Sequence, residues 1–573
     1  MRFTPEQEAV LASSGDIRIN AVAGSGKTTV LVEYARRLPQ TSRILYLAFN
    51  RSVRMHAQQR FTAEGMANVD VQTAHSLAFR KIAIAQGYQV TKGYRVHDIA
   101  GILDLKPSGR DPHSPYLIAS HILKFAALFC NSPAVRVDEL NYLPLISDEK
   151  AAAAVRHFYQ AIEHGTRLFL AKMDRKEIDA THDFYLKKYQ LSRPRLAYDT
   201  ILFDEGQDAS PVMLDVFLSQ GAVKVIVGDI HQQIYGWRHA VNALSRADFP
   251  QYTLSTSFRF NEHIARLAMG CLSWKRLLGD AAPVVIHGMG TSGKITSRAT
   301  IARSNLALLK KAIDAVQNDR TVKTIYFEGN ISSYTYAAEG ASIYDVLNLY
   351  LEQPQRIRDP LIKTMKSYEL LKEFAGASED MELSMLIDIV EEYGREIPAL
   401  LKKLAALHVD DDKRDKADMI FSTLHRCKGM EYDAVTLTDD FINPDRIKRL
   451  IEREKEQPLD RDRLAEEINL AYVAVTRSKR YLDFPEAMFP AEDKELFAKK
   501  KPLLRQKFDK LWQLGDKRKQ HSNAYKPWSI ILDRELRGLF LGGRTMKDLS
   551  RHFGRDAGAI RARLKKLGLL RQE

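Results

Sequence analysis

Short apolar runs alternate with longer stretches of helical periodicity along much of the chain. Four of these runs end in a small, polar or acidic residue, as buried strands of a parallel sheet do, and they lie near Ile17, Ile44, Ile201 and Val225. Strands that alternate with helices form parallel sheets covered by helices. The pattern therefore predicts an α/β fold with polar residues gathered at the strand ends.

Two long stretches carry apolar residues at helical spacing and lack strand-like runs. The first lies between His75 and Tyr198 and includes LIASHILKFAALF; the second, roughly 337–416, includes ELSMLIDIVEEYGREIPALLKKL. Strand-like sequence resumes after the second stretch, at MIFSTLH and YDAVTLTDD. We therefore expect two helical insertions.

Composition limits the class of protein. The chain has 573 residues, of which 45% are apolar and 28% charged, and these values are typical of a multidomain globular protein. Its three cysteines, Cys130, Cys271 and Cys427, are too few and too far apart for a disulfide framework or a zinc ribbon. Because a signal peptide and a membrane-spanning run are both missing, we expect a soluble, cytoplasmic protein with no membrane partner.

The positive charge is concentrated at one end of the chain. The formal net charge is +14, and from Lys499 onward 21 Lys and Arg stand against 7 Asp and Glu, so this tail carries the whole excess. Basic terminal segments favour nucleic acid, because each neutralised phosphate releases a condensed counterion. A solvated lysine-rich end is the alternative interpretation.

The segment INAVAGSGKTTVL has the residues of a phosphate-binding loop. A predicted strand runs into a glycine-rich turn that a helix follows, and Gly24 and Gly26 allow the backbone N–H groups to surround a phosphate. In such a loop Lys27 reaches the β and γ phosphates and the Thr28 hydroxyl holds Mg²⁺. Ala21 stands where the strict pattern has glycine. A glycine-rich turn without function is the alternative.

The segment ILFDEGQD brings two adjacent carboxylates to the end of a buried strand. Asp204 is suited to hold Mg²⁺ through water, and Glu205 to orient and deprotonate the attacking water. Ordinary surface charges are the alternative. The two motifs together predict hydrolysis of a nucleoside triphosphate.

Further motifs accompany these two in a fixed order. In chain order, the motifs before the paired carboxylates are FTPEQEAVL, AVAGSGKTT, LAFNRSVRMHAQQRF and VQTAHSLAFR. The carboxylate motif is FDEGQDASP, and the motifs after it are VGDIHQQIYGWRHA, LSTSFRF, STLHRCKGMEYDAV and INLAYVAVTRSKRYL. This series, over about residues 1–490, resembles the superfamily 1 helicases of the UvrD, Rep and PcrA type, and in wording the helicase core of the F-box DNA helicases. Gly206 and His239 depart from the alanine and glycine that are usual in the family. We expect no F-box, because the first motif begins within the first few residues.

The resemblance implies roles at an ATP site. Gln7 would read the adenine edge and Phe258 would stack on the ring, while Arg259 and Arg477 would clamp the γ phosphate as the cleft between two domains closes. The implied ATP-binding residues are Gln7, Ala23, Gly24, Ser25, Gly26, Lys27, Thr28, Thr29, Phe258, Gly429 and Glu431. The implied catalytic residues are Lys27, Glu205, Gln232, Arg259 and Arg477, with Thr28 and Asp204 on Mg²⁺.

The resemblance also implies a single-stranded DNA site. The matching positions are Phe49, Asn50, Thr73, His75, Tyr235, Trp237, Arg238, Thr423 and His425. Aromatic faces suit this task because they stack on any base. Taken singly, each aromatic residue is better explained as part of the core than as a DNA ligand. Trp237, flanked by polar residues, favours the DNA interpretation most.

Beyond the motifs, the tail predicts three helices with short turns. Thr545 and Asp548 form a capping box, and Ile560, Leu564 and Leu567 make one apolar stripe. Arg561, Arg563, Lys565 and Lys566 lie on the opposite face, so the segment resembles a helix-turn-helix that binds duplex or junction DNA. A three-helix protein-docking module is the alternative.

These expectations combine into one architecture. The predicted parts are a first RecA-like domain (1–90 and 195–260), a helical insertion (91–194), a second RecA-like domain (261–336 and 417–495), a short helical insertion (337–416), a basic linker (496–524) and an all-α DNA-binding domain (525–573). The resemblance implies an ATP-dependent helicase that moves 3′ to 5′ on single-stranded DNA and unwinds duplexes in replication, repair or recombination. Two alternatives stay open: a translocase that strips proteins from DNA without separating strands, and an ATP-gated DNA-binding regulator.

Overall fold

A computed structural model describes residues 2–107, 113–146, 148–236, 242–280, 282–290, 293–318, 322–329, 334, 341–455, 459–488, 530–567 and 569–570. Within these residues, two large parallel sheets and one short parallel pair of strands lie in the region up to 488, and a group of helices lies near the C-terminus. The predicted α/β class with parallel sheets is confirmed.

The first sheet has six parallel strands in the order β3-β2-β4-β5-β1-β6. The strands are β1 (Ile17–Ala21), β2 (Ile44–Ala48), β3 (Val69–Thr73), β4 (Thr200–Phe203), β5 (Val223–Gly228) and β6 (Gln251–Leu254). The four apolar runs predicted as strands are confirmed as β1, β2, β4 and β5. Residues of β2 and β4 are buried throughout, since helices cover both faces of the sheet.

Helices connect these strands. They are α1 (Pro5–Leu11), α2 (Lys27–Arg37), α3 (Arg51–Ala63), α4 (Ala74–Ala78), α5 (Val96–Ile102), α6 (Ser114–Asn131), α7 (Glu149–Asp174), α8 (His182–Leu191), α9 (Pro211–Leu218) and α10 (Ala243–Arg246). A π-helical turn, Phe79–Ile84, continues α4. Helices α5 to α8 lie between β3 and β4 in the chain, so the first predicted helical stretch is confirmed.

The second sheet has five parallel strands in the order β10-β11-β9-β12-β13. A short parallel pair comes before it, β7 (Thr256–Ser257) with β8 (His287–Gly288). The five strands are β9 (Arg298–Ala302), β10 (Ile325–Phe327), β11 (Met419–Thr423), β12 (Tyr432–Leu437) and β13 (Ser478–Asp483). The runs predicted at MIFSTLH and YDAVTLTDD are confirmed as β11 and β12.

The helices of this region are α11 (Glu262–Ser273), α12 (Asn305–Asn318), α13 (Ile343–Tyr350), α14 (Pro360–Thr364), α15 (Tyr368–Ala377), α16 (Met381–Tyr393), α17 (Ile397–Leu407), α18 (Leu424–Cys427), α19 (Pro444–Glu452) and α20 (Arg461–Val475). Helices α13 to α17 lie between β10 and β11, which confirms the second predicted helical stretch. Asp380 caps α16 by accepting from the N–H of Leu383 at 2.9 Å.

Three helices form a separate small core near the C-terminus. They are α21 (Ile530–Leu541), α22 (Met546–Phe553) and α23 (Ala557–Lys566). The buried core residues are Leu536, Leu549, Phe553, Ile560 and Leu564. Thr545 caps α22, and Gly554, with φ of 57°, ends it in the left-handed conformation that glycine adopts readily. Nowhere in the described part of the chain is a helix both long and apolar enough to cross a membrane.

Candidate functional site

The phosphate loop joins the end of β1 to the start of α2. Gly24 and Gly26 have φ of 75° and 81°, a region that favours glycine. A Cβ on Gly24 would lie 2.5 Å from Cβ of Arg259 and 2.8 Å from Oγ of Ser257. The close approach of the segment after β6 therefore requires glycine at this position.

Lys27 at the start of α2 faces Glu205 at the end of β4. Their charged atoms are 3.7 Å apart, and Nε2 of Gln207 donates to Oε2 of Glu205 at 2.6 Å. Although burial opposes it, the charge of Lys27 and the Gln207 hydrogen bond hold the pKa of Glu205 below its usual value. The structure thus presents an ionised carboxylate beside the phosphate loop.

Thr28, the residue after Lys27, lies beside Asp204. The Thr28 hydroxyl donates to Oδ2 of Asp204 at 3.5 Å, and the Tyr46 hydroxyl donates to the same oxygen. Burial, together with the charge of Glu205, raises the pKa of Asp204 to about 6. A hydroxyl and a carboxylate are the oxygen donors that Mg²⁺ takes, and the ion usually completes its shell with waters and substrate phosphates. The donor set therefore fits Mg²⁺.

Gln7 and Phe258 approach the loop from different elements. The side chain of Gln7 is buried, its Nε2 donating to the Ser25 carbonyl at 3.1 Å and its Oε1 accepting from the Thr4 N–H at 3.0 Å. The N–H of Phe258 donates to the Gly24 carbonyl at 2.9 Å, and the residue is 47% exposed. A planar ring therefore lies in contact with solvent beside the loop.

Arg259 and Arg477 lie close together. The Arg259 guanidinium forms an ion pair with Glu431 at 2.7 Å and donates to the Thr476 carbonyl at 3.2 Å. Arg477 is 1% exposed and donates to the Val473 carbonyl at 3.0 Å. Burial and the charge of Arg259 lower the pKa of Arg477 to about 10. Two neighbouring guanidinium groups form an environment that suits an anion.

The loop after β5 is bound to helix α20 of the second region. Nε2 of Gln232 and the Tyr472 hydroxyl both donate to Oδ2 of Asp229, at 2.8 Å each. The Tyr472 oxygen in turn accepts from the Ala23 N–H at 3.3 Å. Gln232 thus belongs to a buried network that connects the phosphate loop to α20. Gly429, just beyond α18, has φ of 86°.

Two of the aromatic residues predicted to bind DNA, Phe49 and Tyr235, are in contact with each other. The rings of Phe49 and Tyr235 stack with centroids 6.1 Å apart and 19° between their planes. Tyr235 also donates to the His425 carbonyl at 3.3 Å. Burial lowers the pKa of His425 to about 4, so its ring is neutral at pH 7. The structure therefore brings these three predicted residues together.

Other predicted DNA contacts have structural partners. Asn50 caps α3 by accepting from the Val53 N–H at 2.9 Å, and Thr73 caps α4 by accepting from the Ser76 N–H at 3.1 Å. Nε2 of His75 lies 3.9 Å from Oδ1 of Asp183, and Thr423 is buried at the end of β11. Trp237 and Arg238 lie outside the described residues. Capping alone is enough to explain Asn50 and Thr73.

The basic residues of α23 differ from one another. Arg561 is exposed and Lys565 is half-buried. The sequence pattern predicts Arg563 on the same open face. In the structure its guanidinium binds Asp533 of α21 through two nitrogens, Nε to Oδ1 at 2.7 Å and Nη2 to Oδ2 at 2.5 Å. Arg563 therefore connects two helices of the tail, because Asp533 supplies the carboxylate that matches its planar fork.

Several side chains that bind the carboxylates of the site were not predicted from the sequence. Tyr46 and Tyr472 bind Asp204 and Asp229, and Lys428 binds Asp208. Lys428 and Asp208 stand inside the quoted motifs HRCKGMEYD and FDEGQD, so their charges were a usable signal. Tyr46 is a buried strand residue that no local pattern distinguishes.

Two models of known protein families match this chain. The family model for the UvrD/REP helicase N-terminal domain matches residues 3–248, and that for the UvrD-like helicase C-terminal domain matches residues 173–484. The chain belongs to the UvrD-like helicase family. The resemblance that the order of the sequence motifs indicated is thereby confirmed.

Curated relatives agree with this assignment. The chain is 30% identical to F-box DNA helicase 1 of Gallus gallus, over 84% of this chain and 49% of the relative. It is 28% identical to F-box DNA helicase protein 1 of Schizosaccharomyces pombe, over 84% of this chain and 57% of the relative. It is 24% identical to ATP-dependent DNA helicase PcrA of Leuconostoc citreum, over 49% of this chain and 38% of the relative. The chain thus spans about half the length of the first two relatives.

Proposed function

We propose that this UvrD-like helicase is an ATP-dependent DNA translocase that moves 3′ to 5′ on single-stranded DNA and separates duplex strands. The observation that carries the proposal is the pairing of Lys27 and Glu205 beside two guanidinium groups, those of Arg259 and Arg477. This set supplies a phosphate ligand, a general base and cations for the charge that develops during phosphoryl transfer. The two sheets then belong to two RecA-like domains with the boundaries given above.

Each group has a defined task in this proposal. Lys27 and the loop N–H groups bind the phosphates, while Glu205 orients the attacking water and accepts its proton. Mg²⁺, held by Thr28 and Asp204, would neutralise part of the phosphate charge. Arg259 and Arg477 follow the first sheet in the chain and lie beside the second, whereas the phosphate loop belongs to the first. The two arginines therefore bind the γ phosphate only when the cleft between the two halves is closed. ATP hydrolysis is thereby coupled to movement of the two halves.

The DNA-binding part of the proposal rests on the aromatic contacts. Phe49 and Tyr235 supply ring faces that stack on bases without reading their sequence. Trp237 and Arg238, which follow Tyr235 closely in the sequence, would add to this contact. The single DNA strand would be held around the rings of Phe49 and Tyr235 by the other predicted contact residues, which are Asn50, Thr73, His75, Thr423 and His425. The three C-terminal helices would bind duplex or junction DNA through Arg561 and Lys565.

Steady-state ATP hydrolysis tests the proposal directly. Turnover is measured without nucleic acid and with single-stranded DNA, duplex DNA or RNA, and Glu205→Gln serves as the inactive control. We expect strong stimulation by single-stranded DNA that the variant loses. A folded, ATP-binding protein without stimulated turnover would contradict the motor and favour a nucleotide-gated regulator.

Strand displacement tests the direction and the product of movement. Duplexes with a 3′ tail should be separated, and duplexes with a 5′ tail should not. Stimulated hydrolysis without displacement of either substrate would favour a translocase that strips proteins from DNA.

A further inference from the structure

The loop that follows β5 is bound along its length to helix α20, which belongs to the region of the second sheet. The bonds run from the Tyr472 hydroxyl to Asp229 at 2.8 Å, from Nδ2 of Asn469 to the Gln233 carbonyl at 3.0 Å, and from the Gly236 N–H to Glu466 at 3.0 Å. The three residues of α20 are spaced three apart, so they are neighbours on its surface. The loop that carries Gln232 is therefore held by the second region.

A lysine from another element of that region reaches the same loop. Lys275 lies in the 3₁₀ turn Trp274–Leu278, which follows α11 and packs against α20. Its Nζ lies 3.1 Å from Nδ1 of His231. An ammonium has donors and no acceptor, so Nδ1 accepts this hydrogen bond and the imidazole carries its proton on Nε2. The contact therefore selects the neutral form of His231 and one of its two tautomers.

His231 is buried between this lysine and the network around Asp229. Its backbone N–H donates to Oδ1 of Asp229 at 3.0 Å. Its ring meets the ring of Tyr472 edge-on, with centroids 6.0 Å apart and 76° between the planes. Burial, together with the charge of Lys275, lowers the pKa of His231 to about 4. The ring is thus neutral at pH 7 and remains an acceptor for Lys275.

The other carboxylate oxygen of Asp229 binds Gln232. Oδ2 accepts from Nε2 of Gln232 and from the Tyr472 hydroxyl, whereas Oδ1 is the oxygen that the His231 N–H binds. The two oxygens of a carboxylate are rigidly connected, so a displacement of His231 is passed on to the Gln232 side chain. Hydrogen bonds of this supporting kind hold the residues of a site in their productive orientation.

We propose that Lys275 is a positioning residue for ATP turnover, acting through His231 and Asp229 on Gln232. Gln232 lies in a loop of the first sheet and Lys275 in the region of the second. The series of contacts therefore aligns Gln232 only while the two regions are together. The inference rests on the proposed ATPase function and adds to it a residue outside the sequence motifs.

Turnover of the full chain at saturating single-stranded DNA, with calorimetric titration of ADP, tests this inference. We expect Lys275→Met and His231→Phe each to lower kcat about tenfold, as loss of one hydrogen bond from a charged donor does. ADP affinity should change less than about twofold, because neither residue contacts the nucleotide in the proposal. His231→Asn should keep at least about half of the wild-type kcat, because its Oδ1 lies near the position of Nδ1 and accepts from Lys275.

Arg276→Met is the matched control, since Arg276 is the exposed neighbour of Lys275 in the same turn. It should leave kcat unchanged. Circular dichroism checks the fold of each variant. If Lys275→Met does not fold, the comparison of His231→Asn with His231→Phe carries the test, because the asparagine supplies the acceptor and the phenylalanine does not.

Three results would overturn the inference while the wild type remains active. They are an unchanged kcat in folded Lys275→Met, a kcat of His231→Asn as low as that of His231→Phe, and a loss of ADP affinity equal to the loss of kcat. A wild-type chain that binds DNA and does not hydrolyse ATP would overturn the proposed function as well.

Discussion

Lys428 and Asp208 form a buried ion pair between the two sheet regions. Nζ of Lys428, at the end of α18, lies 2.6 Å and 2.5 Å from the two carboxylate oxygens of Asp208, which follows β4. The same ammonium donates to the Gln232 carbonyl at 2.7 Å and lies 4.6 Å from the centre of the Tyr235 ring. One cation thus contacts residues at both the nucleotide and the DNA parts of the candidate site.

This ion pair lies one hydrogen bond away from the proposed catalytic carboxylate. Nε2 of Gln207 donates both to Glu205 at 2.6 Å and to Asp208 at 3.3 Å. Burial raises the pKa of Asp208 to about 6, although the charge of Lys428 acts against it. Asp208 is therefore ionised at pH 7.5. Removing one partner of such a buried pair costs about 3–5 kcal/mol, because it leaves a buried charge without compensation.

We predict that Lys428→Met lowers DNA-stimulated ATP turnover at least tenfold while changing ADP affinity less than threefold. The reason is that the pair joins α18 to the segment after β4 and includes none of the proposed phosphate ligands. Asp208→Asn should have a similar effect, and the double variant should be no worse than the worse single variant. Turnover at saturating single-stranded DNA and calorimetric titration of ADP are the measurements.

The exposed pair of Lys372 with Glu391, at 2.7 Å, provides the control for this prediction. Lys372→Met removes the same charge far from the cleft and should leave turnover unchanged, since exposed pairs contribute little. Additive losses in the Lys428 and Asp208 variants would contradict coupling through the ion pair.

Strands with continuous apolar runs, such as β2 and β4, were the most readily predicted from the sequence. β2 and β4 are buried along their whole length, and such strands are apolar at nearly every position. Strand β9 escaped prediction even though it is the central strand of the second sheet. Its five residues, RATIA, include an arginine and a threonine, and only pairing with β11 and β12 makes it a strand. That pairing is tertiary information, which local patterns do not contain.

The candidate site was predictable where chemistry and spacing are local. Lys27 with Thr28, and Asp204 with Glu205, are neighbours in the chain, and the structure brings the two pairs together. Their other partners come from distant segments, as Tyr472 does for Asp229. Arg563 shows where local prediction ends. Its charge suggested a DNA contact, but its partner Asp533 lies 30 residues earlier in the chain, where no local pattern relates the two residues.

We predict that Lys27→Ala and Glu205→Gln each abolish ATP turnover and leave single-stranded DNA affinity within about threefold. The two side chains lie beside the phosphate loop, and the stacked pair of Phe49 and Tyr235 does not include them. Fluorescence anisotropy with a labelled oligonucleotide gives the affinity, and circular dichroism checks the fold. Loss of DNA binding in both variants, with the fold intact, would refute the separation of roles.

The pH dependence of stability should reflect a buried histidine, His121, between helix α6 and the end of helix α15. Nδ1 of His121 lies 2.9 Å from the Tyr142 hydroxyl, and Nε2 lies 3.1 Å from the Ala377 carbonyl at the end of α15. A carbonyl requires Nε2 to donate, so Nδ1 accepts from Tyr142 and the ring is neutral. Burial, with the charge of Lys124 acting in the same direction, lowers the pKa of His121 to about 4.

We predict that this contribution to stability is complete above pH 6.5 and is lost as the pH falls towards 4. In that window the unfolded histidine binds a proton that the folded one does not, and the full loss is roughly 3 kcal/mol. Thermal denaturation at pH 7.5 and pH 5 should show a smaller decrease in Tm for His121→Gln than for the wild type. Exposed His157→Gln is the control and should follow the wild-type profile. Equal decreases in all three proteins would exclude His121 as the source.

The tail should bind duplex or junction DNA with a strength that depends on salt. We predict that deletion of residues 525–573 weakens binding and lowers the slope of log affinity against log salt, because the tail carries much of the positive excess. The double variant Arg561→Ala with Lys565→Ala should lower the slope by about 2, since each lost phosphate contact changes it by about 0.9. Filter binding over a salt series gives both quantities.

The variant Arg563→Ala tests whether this arginine stabilises the tail or binds DNA. Its guanidinium is bound to Asp533, so the variant should destabilise the packing of α21 against α23. We expect faster proteolysis within the tail for Arg563→Ala and wild-type proteolysis for the Arg561 and Lys565 pair of changes. If all of these variants kept the wild-type affinity and salt slope, the three helices would be a protein-docking module, because a DNA-binding face cannot lose its cations without losing counterion release.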